Sequence, residues 1–427
     1  MRTWHVQAGV LSFALSLASP VLAAPTAIVN GTVHTVSGGT IANGTVIFDS
    51  GVLTAVGAGL AAPAGATVID AKGANVTPGL INSYTRLGLL EIELVKSTND
   101  TETDSALFSA AFDVAPGINP ASALIPITRV KGVTRAIAAP DFGKTNFAGQ
   151  GALLSLGEGA AFTVRPKVAM YMTVGETGKR LVGGARGAVW AFVRQAFADA
   201  RYYERNKSDF DENRARATAL TRLDLEALLP VLDGKMPLVV DVHRASDIQA
   251  VVALAGEYKL KVVLIGAREG WQVAGDIAKA NIPVILDPTN NLPGRFEALG
   301  ATLENAAKLH AAGVKVAIAV MGDQVAYNAR SLAYYGGLAV QNGLPKDAAL
   351  AAITKTPAEI WGMGDKVGTL ERGKEADVVI WDNDPLEAGA APTHVFIKGQ
   401  AQSLETRQTK LRDRYRNLGA PSELGYR

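Results

Sequence analysis

The stretch VTPGLINSYTRLGLLE, residues 76–91, decides how this chain is read. Val76 and Thr77 run into the turn signal Pro78-Gly79. The apolar pair Leu80-Ile81 then gives way to polar residues, the pattern of a buried strand that ends in functional side chains. Successive strand residues point to opposite faces, so Tyr84 and Arg86 are expected to face one site together, with Ser83 and Thr85 turned away.

Outward from that strand the pattern changes on both sides. Before it lie short alternating segments, TAIVNGTVHTV, GTVIFDSG, VLTAVG and ATVIDAKG, which read as strands divided by Gly and Asn turns. After it, to about Gly364, short apolar runs alternate with helix-length segments, the sign of a parallel sheet with covering helices. PLVVDVH, KVVLIGA, IPVILDP and KVAIAVMGD are each a buried strand closing in Gly, Asp or His, and VTRAIAAP and VAMYMTVGE are the surest earlier strands. A segment this long accommodates about eight such units. Glu91 to Asp113 reads as a loop at the top of that layer, either covering a site or simply solvated. Val182 to Asn206 reads as a long helix with core-facing aromatics.

With these motifs in hand, the 76–91 stretch resembles the first barrel strand of the amidohydrolase superfamily, whose pattern is close to V-x-P-G-L-I-D-x-H-x-H. Tyr84 and Arg86 stand where that pattern has its two metal-binding histidines, and Asn82 stands for the Asp. Gly368-x-Leu-x-x-Gly373-x-x-Ala376-Asp377 resembles a second signature of the superfamily. The resemblance implies a (β/α)8 TIM-like barrel plus a small β-sandwich domain built from both termini. Its boundaries are expected at 24–75 and 365–402 for the sandwich and 76–364 for the barrel, followed by a tail at 403–427.

The resemblance also implies where a site lies. PLVVDVHRASDIQ is similar to the fifth-strand region of imidazolonepropionase-like amidohydrolases, in which the residue matching His243 is a metal ligand. Asp323, followed by Asn328-Ala329-Arg330-x-Leu332, is similar to the eighth-strand region whose Asp binds metal and activates water. The sixth-strand position offers only Gly266 and Ala267, and Glu176 is the one fourth-strand candidate. The expected catalytic residues are Asp323, His243 and Arg86, with Tyr84, Asn328 and Arg330 contacting substrate. The metal candidates are His243, Asp323 and Glu176. Arginine has no lone pair to give and a phenol rarely replaces imidazole on zinc, so the expectation is either no metal or one weakly bound divalent ion, zinc first. Asp287 reads either as a pocket residue or as an Asx turn before Pro288.

Composition narrows the function further. A net charge of +2 supplies no field for nucleic acid, and zero cysteines removes disulfides and thiolate chemistry. With 48% hydrophobic and 19% charged residues the chain can bury a large core. Residues 1–23 read as a secretory signal: Arg2, an apolar run from Val10 to Ala18, then small residues with cleavage expected after Ala23. A periplasmic or secreted protein is expected, with no membrane attachment after processing. Two functions stand open. One is hydrolysis of a carbon–nitrogen bond in a small amide or cyclic amide. The other is a non-catalytic pseudoenzyme that binds a ligand or pairs with an active paralogue; the partners expected are a small-molecule amide or ligand, with a homo-oligomer or that paralogue as the protein partner.

Overall fold

The computed structural model describes residues 24–103, 105, 107–143, 145–159, 162–290, 293–322 and 325–416. The expected signal segment and Asp323 lie outside the described residues. The chain opens with five strands, β1 (Thr26–His34), β2 (Thr40–Asp49), β3 (Val52–Ala58), β4 (Thr67–Asp70) and β5 (Asn75–Pro78). Pro78 ends β5, and β6 (Leu80–Thr85) begins the central layer one residue later. Gly79 is needed at that junction because a Cβ there would lie 2.3 Å from the Thr134 hydroxyl.

The central layer continues through β7 (Val133–Ala138), β8 (Phe147–Gln150), β9 (Ala152–Ser155), β10 (Thr163–Arg165) and β11 (Met170–Thr173), and then β12 (Leu238–Val242), β13 (Val262–Gly266), β14 (Val284–Leu286) and β15 (Val316–Ile318). Strands β11 to β15 pair in sequence order and all in parallel. Parallel neighbours require crossovers, which helices such as Arg222–Leu232, Ala245–Tyr258 and Asn305–Ala311 supply. The alternation within each strand separates two cores. Val239, Val263, Ile265, Ile285 and Ala317 pack inside the curved layer. Their neighbours Leu238, Val240, Leu264, Val284 and Val316 pack outward against the helices. Fully burying such a side chain is worth about 1.5–3 kcal/mol, so the layer carries much of the stability.

One part of the layer departs from the expected eight repeated units. Strand β8 pairs antiparallel with β11, and β9 pairs antiparallel with β7. Only Gly151 separates them, so residues 147–155 form one bent, antiparallel stave between β7 and β11. A Cβ at Gly151 would lie 2.7 Å from the Tyr171 ring and 2.9 Å from the Ala138 carbonyl oxygen, which is why the bend carries no side chain. Among the described residues, the edges β6 and β15 are not paired with each other.

The chain returns through β16 (Val378–Trp381), β17 (Pro392–Ile397) and β18 (Gln400–Ala401). These join the first five strands in a single sheet of order β18-β17-β16-β5-β1-β2-β3. The sheet forks at β1, which pairs with β4 along Thr26–Val29 and with β5 along Thr32–Val33. Ile28, Val33, Phe48, Val378 and Phe396 form its own core. A buried ion pair ties it to the central layer: Arg135 on β7 donates from Nε to Asp377 Oδ2 at 2.8 Å and from Nη2 to Glu375 Oε2 at 2.6 Å. The long helix spans Arg186–Arg205 and buries Val189, Val193, Phe197 and Tyr203, while Trp190 and Phe192 are partly buried against the same core and Tyr202 is half-buried. No helix among the described residues is long and apolar enough to cross a membrane.

Candidate active site

The ends of β6, β12 and β13 open into a cavity of about 470 Å³ lined by Tyr84, Arg86, Asp141, Asp241, His243 and Arg268, among others. Tyr84 and Arg86 meet there, as the two-residue spacing requires. Arg86 donates from Nη2 to the Tyr84 hydroxyl at 3.4 Å. Its counter-charge is Asp141, in the loop after β7, with Oδ1 2.8 Å from the same nitrogen. Burial opposes the Arg86 charge, but the Asp141 carboxylate and the hydrogen bonds to Asp141 and Tyr84 outweigh it and raise its pKa. Burial also raises the Tyr84 pKa, so the phenol keeps its proton. Its ring stacks on Phe142, with centroids 6.4 Å apart. The Asp141 amide donates to the Thr101 carbonyl at 2.9 Å, which sets the irregular segment after Glu91 against this corner of the site.

Across the cavity, β12 ends in Asp241-Val242-His243. Val242 packs outward, while Asp241 and His243 both reach the cavity wall. His243 Nε2 lies 3.5 Å from Asp241 Oδ1, a contact distance rather than a short hydrogen bond. Asp241 Oδ2 accepts from the Thr173 hydroxyl at 3.0 Å. Burial pushes the Asp241 carboxyl up to about 6, against the lowering effects of Thr173, Arg295 and Arg268. Burial lowers the His243 pKa, and the charge of Arg268 adds to that, so the imidazole is neutral near pH 7.

Gly266 sets the position of the imidazole. It ends β13 with φ +86°, and a Cβ there would lie 2.4 Å from His243 Cε1. The imidazole therefore packs onto bare backbone, and its Nδ1 is buried without a hydrogen-bond partner among the described residues. Ala267 follows at φ +39°, a strained conformation for a residue with a side chain.

The other expected site residues sit elsewhere. Glu176, in the first turn of the helix Gly175–Leu181, lies 3.9 Å from Arg186 and lines a neighbouring cavity. Arg330 stacks on the Tyr327 ring at 4.0 Å, and Asn328 ends the short helix Val325–Asn328. Asp287 forms the Asx turn, accepting from the Thr289 amide at 2.8 Å, and its second oxygen accepts from the Met321 amide at 2.9 Å. Asp323 follows cavity-lining Gly322 but lies outside the described residues.

The Amidohydrolase family model matches residues 249–402. Amidohydrolase tasK of Hapsidospora irregularis is 26% identical over 395 residues, which is 84% of this chain and 40% of that protein. Imidazolonepropionase of Aromatoleum aromaticum is 43% identical over 95 residues, 22% of this chain and 23% of that enzyme. The chain thus spans well under two thirds of either relative. In solved structures, an amidohydrolase from Thermotoga maritima shares the fold with a TM-score of 0.79 at 24% identity, covering 88% of this chain and 99% of that one.

The family model over residues 249–402 and these relatives support membership of the amidohydrolase superfamily. The superfamily resemblance implies a bound divalent metal such as zinc. The described residues do not fit that metal. A catalytic zinc normally draws on three protein ligands, whereas no group of three or more His, Cys, Asp or Glu is placed to hold an ion among the described residues. The cation at the strand position matching a superfamily ligand is the guanidinium of Arg86.

Asp241, Asp141, Arg268 and Arg295 line the cavity without matching any superfamily ligand position in the sequence. Asp241 was findable: the two-residue rule that joined Tyr84 to Arg86 joins it to His243. Asp141 and the two arginines stand on irregular loops, where no periodicity points inward.

Proposed function

We propose that the protein hydrolyses a carbon–nitrogen bond of a small amide or cyclic amide in the cavity at the ends of β6, β12 and β13. The observation that carries this reading is the placement of Asp241 beside neutral His243, with the fixed charge of Arg86 lining the same cavity.

In the proposed step a water oxygen attacks the carbonyl carbon and Asp241 accepts the water proton. Arg86 faces the oxygen on which negative charge develops, the kind of fixed positive charge that stabilises such an intermediate. The carbon–nitrogen bond then breaks, and the proton returns from Asp241 to the departing nitrogen. Thr173 holds the Asp241 carboxylate by a hydrogen bond, and the neutral His243 ring packs beside it. Asp323 is a further base candidate on the sequence resemblance alone. No step passes through a metal.

Three further readings belong to this proposal. The central layer closes as a barrel of eight staves, with β6 and β15 adjacent. Residues 1–23 direct export to the periplasm or the medium. The partner is a small molecule. Hydrolysis is tested by running the reaction in heavy-oxygen water with a panel of cyclic amides and dipeptides. One solvent oxygen in the carboxyl product supports it; products without solvent oxygen, or no product from any amide, oppose it and favour a ligand-binding role.

A further inference from the structure

We propose that Arg268 and Arg295, with Arg180 beside them, form an anion-binding subsite that takes a carboxylate of the substrate, so that the substrate class is acidic amides. This deepens the hydrolytic reading and rests on it for the word substrate, but the subsite itself stands on geometry.

Among the described residues, the cavity that holds Asp241 and His243 is lined by four arginines, Arg86, Arg180, Arg268 and Arg295, and by two carboxylates, Asp141 and Asp241. The carboxylates are already engaged. Asp141 pairs with Arg86 at 2.8 Å, and Asp241 accepts from the Thr173 hydroxyl with the His243 ring in contact beside it. The other three arginines are poorly compensated among the described residues. Arg268 makes one long hydrogen bond, from Nη2 to Asn290 Oδ1 at 3.3 Å, and its Nε is buried without a partner. Arg295 has Glu297 Oε1 at 3.8 Å, beyond hydrogen-bond range, and Glu297 is shared with Arg186 at 3.5 Å and the Glu176 amide. Asp287 lies near Arg268 but spends both oxygens on Thr289 and Met321. Burial, and then the charge of Arg295, lowers the Arg268 pKa, as expected of two guanidiniums that repel across a small space.

Leaving the buried Arg268 Nε unmatched is costly, Arg180 and Arg295 add exposed guanidiniums beside it, and a carboxylate is the group whose geometry a guanidinium fork satisfies with two parallel hydrogen bonds. Arg180 and Arg295 also line the adjoining cavity of about 450 Å³, so the arginines stand between the two spaces and a carboxylate arm can enter from either. The subsite adjoins the Asp241–His243 pair, so one molecule can place its carboxylate on the arginines and its amide at the pair.

The test is calorimetric titration of the full chain with glutarate and with its neutral diamide, glutaramide, using wild type, Arg268→Gln, Arg295→Gln and the surface control Arg222→Gln. Half-exposed Arg295 keeps the test open if Arg268→Gln fails to fold. Glutarate is expected to bind wild type and the control alike, to lose roughly tenfold or more in affinity in each subsite variant, and to weaken with salt. Equal binding of glutarate and glutaramide, no binding of either, or unchanged glutarate affinity in Arg295→Gln would overturn the subsite. Glutarate binding with no amide turned over would leave the subsite standing and remove the hydrolytic reading instead.

Discussion

Arg86 Nη2 lies 2.8 Å from Asp141 Oδ1, so the cation at the end of β6 takes its counter-charge from the loop after β7. The pairing fixes Arg86 against the Tyr84 hydroxyl and fastens the Asp141 loop over the site. Removing the cation should therefore do more than vacate a binding position.

Arg86→Ala is expected to cost about 1–3 kcal/mol of stability, because it strands Asp141 and removes a charge-assisted hydrogen bond. Asp141 is a third exposed, which holds the figure to that range. Urea unfolding of Arg86→Ala, Asp141→Asn and the double variant checks this. A coupling energy near zero in the double-mutant cycle would mean that the pair contributes nothing.

Gly266→Ala should damage the site without touching a polar group. The added Cβ would meet the His243 ring at 2.4 Å on backbone held at φ +86°. A loss of about 1–3 kcal/mol is expected from the backbone conformation and the clash together. The His243 imidazole resonances should also shift in the NMR spectrum, and unshifted resonances would show that the ring does not rest on Gly266.

The pH dependence follows from two opposed shifts. The folded pKa of Asp241, about 6, lies above its unfolded value, so burying the charged carboxylate penalises the fold above pH 6 and the penalty disappears as pH falls below the unfolded value. Asp241→Asn is therefore expected to melt higher than wild type at pH 7.5 and to match it at acid pH. His243 has a lowered folded pKa, so wild type loses stability as pH falls below the unfolded histidine value, and His243→Gln should blunt that loss. Because the base must be ionised, kcat/KM should fall below about pH 6. Melting scans and rate profiles across pH read all three.

The link between the two sheets carries its own expectation. Arg135 and Asp377 are each 3% exposed on their side chains, and Arg135→Met leaves Asp377 buried without its partner. A loss of about 3–5 kcal/mol is expected in thermal or chemical unfolding. A variant within error of wild type would show that the sheets hold together without it.

The sequence carried the later half of the central layer well, because β11 to β15 are parallel strands buried on both faces and appear as unbroken apolar runs. It did not carry residues 147–155. There the run Phe147 to Ser155 is interrupted by Gly149 and Gly151, whose lack of a side chain permits the antiparallel bend and blurs the strand pattern. The site divided the same way. Residues two apart on strands, Tyr84 with Arg86 and Asp241 with His243, follow from strand geometry. Asp141, Arg268 and Arg295 sit after strand ends, and only tertiary structure brings them to the cavity. Gly266, which offers no ligand at the sixth-strand position, owes its place to the His243 ring that its missing side chain admits.

Steady-state release of amine from a panel of acidic and neutral amides, by wild type beside Asp241→Asn and His243→Gln, tests the central claim most directly. Turnover by wild type is expected, with the rate falling by about 100-fold or more in Asp241→Asn, the scale of a lost general base. A smaller fall is expected in His243→Gln, which positions the carboxylate. Wild type that releases no amine from any member of the panel, or an Asp241→Asn variant as fast as wild type, would contradict it.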